Sequence, residues 1–246
     1  TGKAISEAHA LTNISVAYYH LKDYPKALEY QQKALVIHEK SGNKTDIARD
    51  YINFSSRYRA MNNHTAALES LQKALALLME TKDPNSLFAC YSNFGDLYEK
   101  LFDLNKALEY RQKAIDIAEK QEDVLSIASE INKTAQIYWQ APDSVLVLAG
   151  IPPSSRYQVA EEKFLLGRQL AEKIGAKAIM ATIWNNLSSL YEHTGNYPKA
   201  YEAYKKYIVL NDSMLGEDTK KQITRKEIQF EFDKKEATLK LEQQLT

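Results

Sequence analysis

Hydrophobic residues along this chain recur at helical spacing, and the pattern then repeats as whole blocks. Apolar residues such as Leu11, Ile14 and Tyr18 fall three or four positions apart, which predicts an amphipathic helix. Four stretches are near-copies: DYPKALEYQQKAL from Asp23, NHTAALESLQKAL from Asn63, DLNKALEYRQKAI from Asp103 and NYPKAYEAYKKYI from Asn196. The first three begin forty residues apart, and a period of that length indicates an array of helical repeats.

Five repeats can be aligned, and each predicts two helices joined by a turn. They cover residues 8–41, 48–81, 88–121, 128–174 and 181–214. In four of them an Asp or Asn stands where the second helix should begin, as expected of an N-cap. A small residue in each first helix marks a close crossing with an alanine in the second. The small residues are Ser15, Ser55, Gly95, Ala135 and Ser188, and the alanines are Ala27, Ala67, Ala107, Ala160 and Ala200.

The small residue, the tyrosine three positions later and the alanine after twelve positions resemble the tetratricopeptide repeat (TPR), with a longer period than usual. This resemblance implies an all-α fold, an α-solenoid in which antiparallel helix pairs form a right-handed superhelix. It also implies that the first helices line a concave groove that binds a protein or an extended peptide.

Asparagine recurs at one groove-facing position of the first helices. We call Asn13, Asn53, Asn93 and Asn186 the asparagine column. An amide side chain both donates and accepts hydrogen bonds, so a ladder of amides matches an extended peptide backbone. The resemblance implies this role, because TPR arrays that bind extended peptides use asparagines at this position in this way. The alternative is that each amide satisfies a carbonyl in a neighbouring helix. Other expected groove residues are Tyr19, His20, Arg49, Arg59, Asn132, Lys133 and Gln136.

Composition excludes several classes of function. Lys and Arg together number 32, as do Asp and Glu, so no net charge favours nucleic acid or a membrane surface. No apolar run approaches the length of a membrane helix. The five histidines form no HExxH pair, and no phosphate loop or nucleophile elbow is present. We therefore predict no catalysis, no cofactor and no metal site, and we interpret Cys90 as a packed core residue.

Two segments depart from the repeat. Residues 141–156 interrupt the fourth repeat with an apolar insertion, which we expect to fold over its own helix pair; a homodimer contact is the alternative. Residues 215–246 are charged and periodic, and they predict a long C-terminal capping or linker helix.

The tail and the tyrosine-rich last repeat resemble the sensor regions of bacterial TPR-containing histidine kinases or transcriptional regulators. That resemblance implies a protein- or peptide-binding sensor region, periplasmic in a membrane protein. The alternative is a free-standing cytoplasmic adaptor that scaffolds a protein complex. We expect the chain to belong to a longer protein, because residues 1–3 fall in the phase of the linker at residues 42–44.

Overall fold

The computed structural model describes residues 2–214, which are helical and contain no strand. The helices are α1 Gly2–His20, α2 Tyr24–Ser41, α3 Lys44–Ala60, α4 His64–Thr81, α5 Pro84–Lys100, α6 Leu104–Lys120, α7 Val124–Gln140, α8 Asp143–Leu148, α9 Arg156–Lys173, α10 Lys177–His193 and α11 Tyr197–Asp212. A short 3-10 helix spans Pro153–Ser155. The prediction of an all-α helical repeat is therefore confirmed, whereas the predicted tail helix at 215–246 lies outside the described residues.

The chain divides into two compact units. Among the described residues, the first comprises residues 2–126 and 141–153, and the second comprises residues 127–140 and 154–214. The pairs α1–α2, α3–α4 and α5–α6 lie in the first unit. Helices α9, α10 and α11 lie in the second unit together with most of α7. Within residues 2–214 no helix is long and apolar enough to cross a membrane.

The predicted N-caps are confirmed at the second helices. The side chains of Asp23, Asn63 and Asp103 accept hydrogen bonds from backbone N–H groups three residues later. Asn196 caps α11 in the same way. These bonds satisfy donors that the first turn of a helix otherwise leaves free. Each second helix that begins at such a cap therefore starts at a position fixed by its own sequence.

The two helices of a pair meet at the predicted alanines, all five of which are fully buried. In repeat one the Ser15 hydroxyl donates to the Ala27 carbonyl at 2.6 Å. In repeat five the Ser188 hydroxyl donates to the Ala200 carbonyl at 3.0 Å. A hydroxyl can reach the opposite carbonyl only when the two backbones lie close together, so small residues on both sides set the spacing of the pair.

Repeat three buries an arginine one turn after its alanine. Arg111 of α6 is 1% exposed and lies beneath Gly95 of α5. Its Nη2 donates to Asp96 at 3.1 Å and to Glu99 at 2.6 Å. A Cβ at Gly95 would lie 2.8 Å from the Arg111 Cγ atom, which is closer than such contacts occur. Gly95 is therefore required by the side chain that packs beneath it.

A polar cluster is buried where α2 and α3 meet. The Gln31 amide donates to Asp50 Oδ1 at 2.7 Å, and His38 Nδ1 lies 2.7 Å from Asp50 Oδ2. All three side chains are almost fully buried. Burial raises the pKa of the Asp50 carboxyl to about 6, although the hydrogen bond from His38 opposes that shift.

The insertion lies against repeat three, which differs from the expectation that it folds over its own helix pair. Val145, Leu148 and Ala149 line a cavity of about 260 Å³ together with the turn between α5 and α6. Leu146 is fully buried. Phe102, in that turn, has a φ of 59°, a left-handed conformation that a bulky residue rarely adopts. The insertion and this apolar turn thus line the same cavity.

We predict that Gly95→Ala lowers the free energy of unfolding by about 1–3 kcal/mol, because the added methyl group overpacks the site of Arg111. An ordinary Gly→Ala change inside a helix is stabilising instead. Urea unfolding followed by circular dichroism measures the change. The matched control is Gly95→Ala combined with Arg111→Leu, which supplies the leucine that repeat two carries as Leu71 and should recover much of the loss. An unchanged or raised stability in the single variant contradicts the packing argument.

Candidate functional site

The asparagine column divides into open and bonded amides. Asn13 on α1 is exposed and Asn53 on α3 is half-buried. Neither side chain makes a hydrogen bond to any residue in the described range 2–214. Asn93 on α5 is different, because its Nδ2 donates to the Ala89 carbonyl at 2.8 Å and its Oδ1 accepts from Ser56 at 3.0 Å.

The neighbouring first helix explains why Asn53 stays open while Asn93 is bonded. Ser56 stands beside Asn93, and the residue forty positions before Ser56 is Val16. A valine side chain has no hydrogen-bond donor, so it cannot donate to the amide oxygen Oδ1 of Asn53 as Ser56 donates to that of Asn93. Asparagines at the same repeat position therefore differ in whether their side-chain amides are free to bind a ligand.

In the second unit the column residue is also bonded within the protein. The Asn186 amide donates to Asn132 Oδ1 at 3.0 Å, and Asn132 is itself buried. The expected lining residues Lys133 and Gln136 are half-buried on α7. The structure thus brings Asn132 and Asn186 together, as neighbours that bond each other.

The predicted basic residues are paired with acidic ones. Arg59 lies 3.2 Å from Asp96, a carboxylate that Arg111 also contacts. Arg49 lies 3.3 Å from Asp46 and also donates to Ser86. Lys133 lies 2.9 Å from Glu130. These partners neutralise the charges locally, so the three predicted cations do not form a basic clamp for a terminal carboxylate.

The sequence analysis did not identify Arg57, which joins α1 and α3, the first helices of repeats one and two. Its guanidinium is buried and donates through Nε and Nη2 to the Ser15 hydroxyl at 3.2 and 3.1 Å. Nη1 donates to the Asn53 carbonyl at 2.9 Å. The guanidinium carbon also lies 5.5 Å from the centre of the Tyr19 ring, within reach of a cation–π contact. Burial lowers the pKa of Arg57 to about 10, which leaves it charged near neutral pH.

Aromatic groups complete the end of α1. Tyr19 is half-buried, and its ring centre lies 5.6 Å from His20 and 5.8 Å from Tyr24. His20 is exposed. These aromatic groups lie on α1, the helix that also carries Asn13, or directly after it. Arg57 lies one turn after Asn53, on a helix that is expected to pack against its neighbours. A charged residue at such a position would have been the sequence signal for this contact.

A separate cavity of about 440 Å³ lies in the second unit, among α9, α10 and α11. The Trp184 ring forms part of its wall, with the Lys206 ammonium 4.3 Å and the Arg168 guanidinium 5.3 Å from the ring centre. Met180, Val209 and Leu210 supply apolar lining. No residue of the asparagine column belongs to this cavity, so it is a second concave surface that the repeat pattern did not predict.

Tetratricopeptide repeat models match residues 6–80, 58–120 and 181–213, which together exceed half of the chain. The chain belongs to the tetratricopeptide repeat family. TPR arrays act as scaffolds for binding proteins, and they are generally not catalytic. In keeping with this, burial raises the pKa of the Cys90 thiol to about 12, so the thiol stays in its unreactive form near neutral pH. No curated protein matches the sequence significantly.

Several solved structures share the TPR fold. A signal transduction ATPase with a tetratricopeptide repeat sensor from Pyrococcus horikoshii has a TM-score of 0.66 and 18% identity, over 84% of this chain and 30% of that protein. This chain thus spans less than a third of that relative. A Rap protein complexed with Competence and Sporulation Factor has a TM-score of 0.68 and 16% identity, over 83% and 54%. TPR-like repeats of a Podosopora anserina kinesin light chain reach 0.62 at 15% identity, over 87% and 99%.

We predict that Ser15→Ala destabilises the protein by about 1–3 kcal/mol, because two N–H groups of the buried Arg57 lose their acceptor. Thermal unfolding followed by circular dichroism measures the loss. Ser188→Ala is the matched control, since Ser188 occupies the same repeat position but gives up one neutral hydrogen bond to Ala200. Equal losses in the two variants would show that Arg57 does not depend on Ser15.

Proposed function

We propose that α1 and α3 bind an extended peptide segment of a partner protein. The observation that carries this proposal is the pair of open amides at Asn13 and Asn53 on first helices that Arg57 joins through Ser15. Each amide can donate to a peptide carbonyl and accept from a peptide N–H. Two such groups on adjacent helices suit main-chain recognition, which depends little on the sequence of the ligand.

The surroundings favour a ligand of low net charge with an aromatic or apolar side chain. Arg49 and Arg59 have acidic partners, so these two cations do not favour a strongly acidic segment. Tyr19 presents a half-buried ring against the guanidinium of Arg57, which also bonds the Asn53 backbone carbonyl. A planar or apolar side chain of the ligand would bury area against that ring and gain affinity there.

We further propose that the array is the sensor or interaction region of a bacterial signal-transduction protein. Two similar structures support the idea by analogy, since one carries a tetratricopeptide repeat sensor and the other was solved with Competence and Sporulation Factor bound. A ligand that binds one arrangement of the helices better than another would shift the array toward that arrangement. The alternative is a free-standing adaptor, in which the same groove holds two partners in a complex.

The peptide proposal predicts that Asn13→Ala and Asn53→Ala together weaken binding by about tenfold or more, because each lost hydrogen bond contributes on the order of 1 kcal/mol. A random peptide library displayed on phage and selected on the chain supplies the probe, and fluorescence anisotropy of a selected, labelled peptide measures affinity. The folded state is checked by circular dichroism.

Asn105→Ala is the matched control, because Asn105 is an exposed asparagine on the second helix α6. It should leave the affinity unchanged. Asn93→Ala should reduce stability more than affinity, since its amide already bonds Ser56 and Ala89. Unchanged affinity in the Asn13 and Asn53 double variant would contradict the proposed groove.

A further inference from the structure

The polar cluster of Gln31, His38 and Asp50 stands where the next repeat has an ordinary core. The residues forty positions later are Leu71, Leu78 and Cys90. All three are fully buried and belong to one hydrophobic cluster. The fold therefore accepts apolar side chains at these three positions without difficulty. A buried polar cluster gives little net stability compared with well-packed apolar residues, so its presence in repeat one suggests a further role.

Two polar atoms of this cluster, Gln31 Oε1 and His38 Nε2, have no hydrogen-bond partner among the described residues. His38 Nδ1 is in hydrogen-bond contact with Asp50, so Nε2 is the remaining ring nitrogen. Nε2 is buried and forms no hydrogen bond with any residue in the range 2–214. An unsatisfied buried nitrogen destabilises the fold unless something else binds it.

Two potential ligands lie beside the His38 ring on other helices. A ring nitrogen of His9 on α1, a ring nitrogen of His38 on α2 and a carboxylate oxygen of Asp46 on α3 all lie within 4.8 Å of one another. The His9 and His38 ring centres are 5.6 Å apart. His9 is exposed and Asp46 is 9% exposed, so the group reaches from the core to the surface.

We propose that His9, His38 and Asp46 bind a divalent transition-metal ion of the zinc type. Imidazole and carboxylate together suit zinc and its neighbours, whereas magnesium and calcium prefer oxygen ligands alone. The contact between Asp50 and His38 Nδ1 matches the carboxylate–histidine–metal arrangement that fixes the orientation and tautomer of a ligating histidine. Three protein ligands leave one position of a tetrahedral site open for water.

The three ligands must close slightly around an ion. Metal–ligand bonds of about 2.0–2.2 Å place tetrahedral ligand atoms roughly 3.4 Å apart, so a separation of 4.8 Å would have to shorten by about 1.4 Å. The exposed His9 side chain can supply that movement.

The Asp46 carboxylate can bind a metal ion in addition to its present partners. It accepts from the Asn43 amide at 2.7 Å and lies 3.3 Å from Arg49. A carboxylate has about four acceptor sites, so an oxygen can still bind metal. The Arg49 side chain is about half exposed and can turn toward solvent as the positive ion enters.

Metal bound there would tie three helices together. His9 lies on the same helix as Asn13, one turn earlier, and Asp46 lies on the same helix as Asn53. An ion held by both helices and by α2 would therefore restrain α1 against α3. This inference is independent of peptide binding, because the metal alone is the probe.

The test is titration of the chelator-treated chain with Zn²⁺ by isothermal titration calorimetry, and with Co²⁺ followed by visible absorption. We expect one saturable site, a cobalt spectrum typical of tetrahedral nitrogen and oxygen ligands, and a raised melting temperature with zinc. His9→Ala should weaken zinc binding by at least tenfold. Asp50→Asn should weaken it by about 10–100-fold by releasing the ring of His38.

His64→Ala is the matched control, since it removes one of the five histidines from a different helix and should leave the affinity unchanged. His38→Ala disturbs the core, so the exposed His9 is the deciding position if that variant does not fold. Absence of a saturable site in the parent chain overturns the proposal. Equal zinc affinity in His9→Ala and His64→Ala also overturns it, because the binding would then come from scattered surface histidines.

Discussion

Every described helix pair in this protein depends on the close approach of two backbones at a buried alanine. The five alanines are fully inaccessible, and in repeats one and five a serine hydroxyl bridges directly to the alanine carbonyl. A larger side chain at either position would separate the helices and loosen the contacts that flank the crossing. The crossing therefore fixes the backbone geometry on which each repeat presents its other side chains.

Once the crossing is fixed, the position one turn after the alanine can vary widely. It holds Gln31 in repeat one, Leu71 in repeat two, Arg111 in repeat three and Phe164 in repeat four. All four side chains are fully buried. The two polar ones depend on partners from their own repeat or the next, since Gln31 bonds Asp50 and Arg111 bonds Asp96 and Glu99. The repeats thus share a backbone and differ in the chemistry they enclose.

The helix pairs and their caps could be predicted from sequence because the signals are local. An Asp or Asn caps the N–H three residues later, and helical periodicity is visible within one segment. The availability of the asparagine column could not be predicted, because it depends on which side chain of a neighbouring helix faces each amide. Asn93 meets Ser56, whereas the residue equivalent to Ser56 beside Asn53 is Val16.

The cluster of His9, His38 and Asp46 could not be predicted from the sequence either, because it also depends on which side chains of neighbouring helices come together. His9, His38 and Asp46 come from three helices and have no common spacing, so no motif search would group them. Comparison between repeats does single them out, because polar residues buried where the sister repeat has Leu78 and Cys90 cannot be explained by packing alone. In a repeat protein each copy is a control for the others. The positions at which a copy gives up apolar burial are therefore the places where selection for something besides the fold is most readily detected.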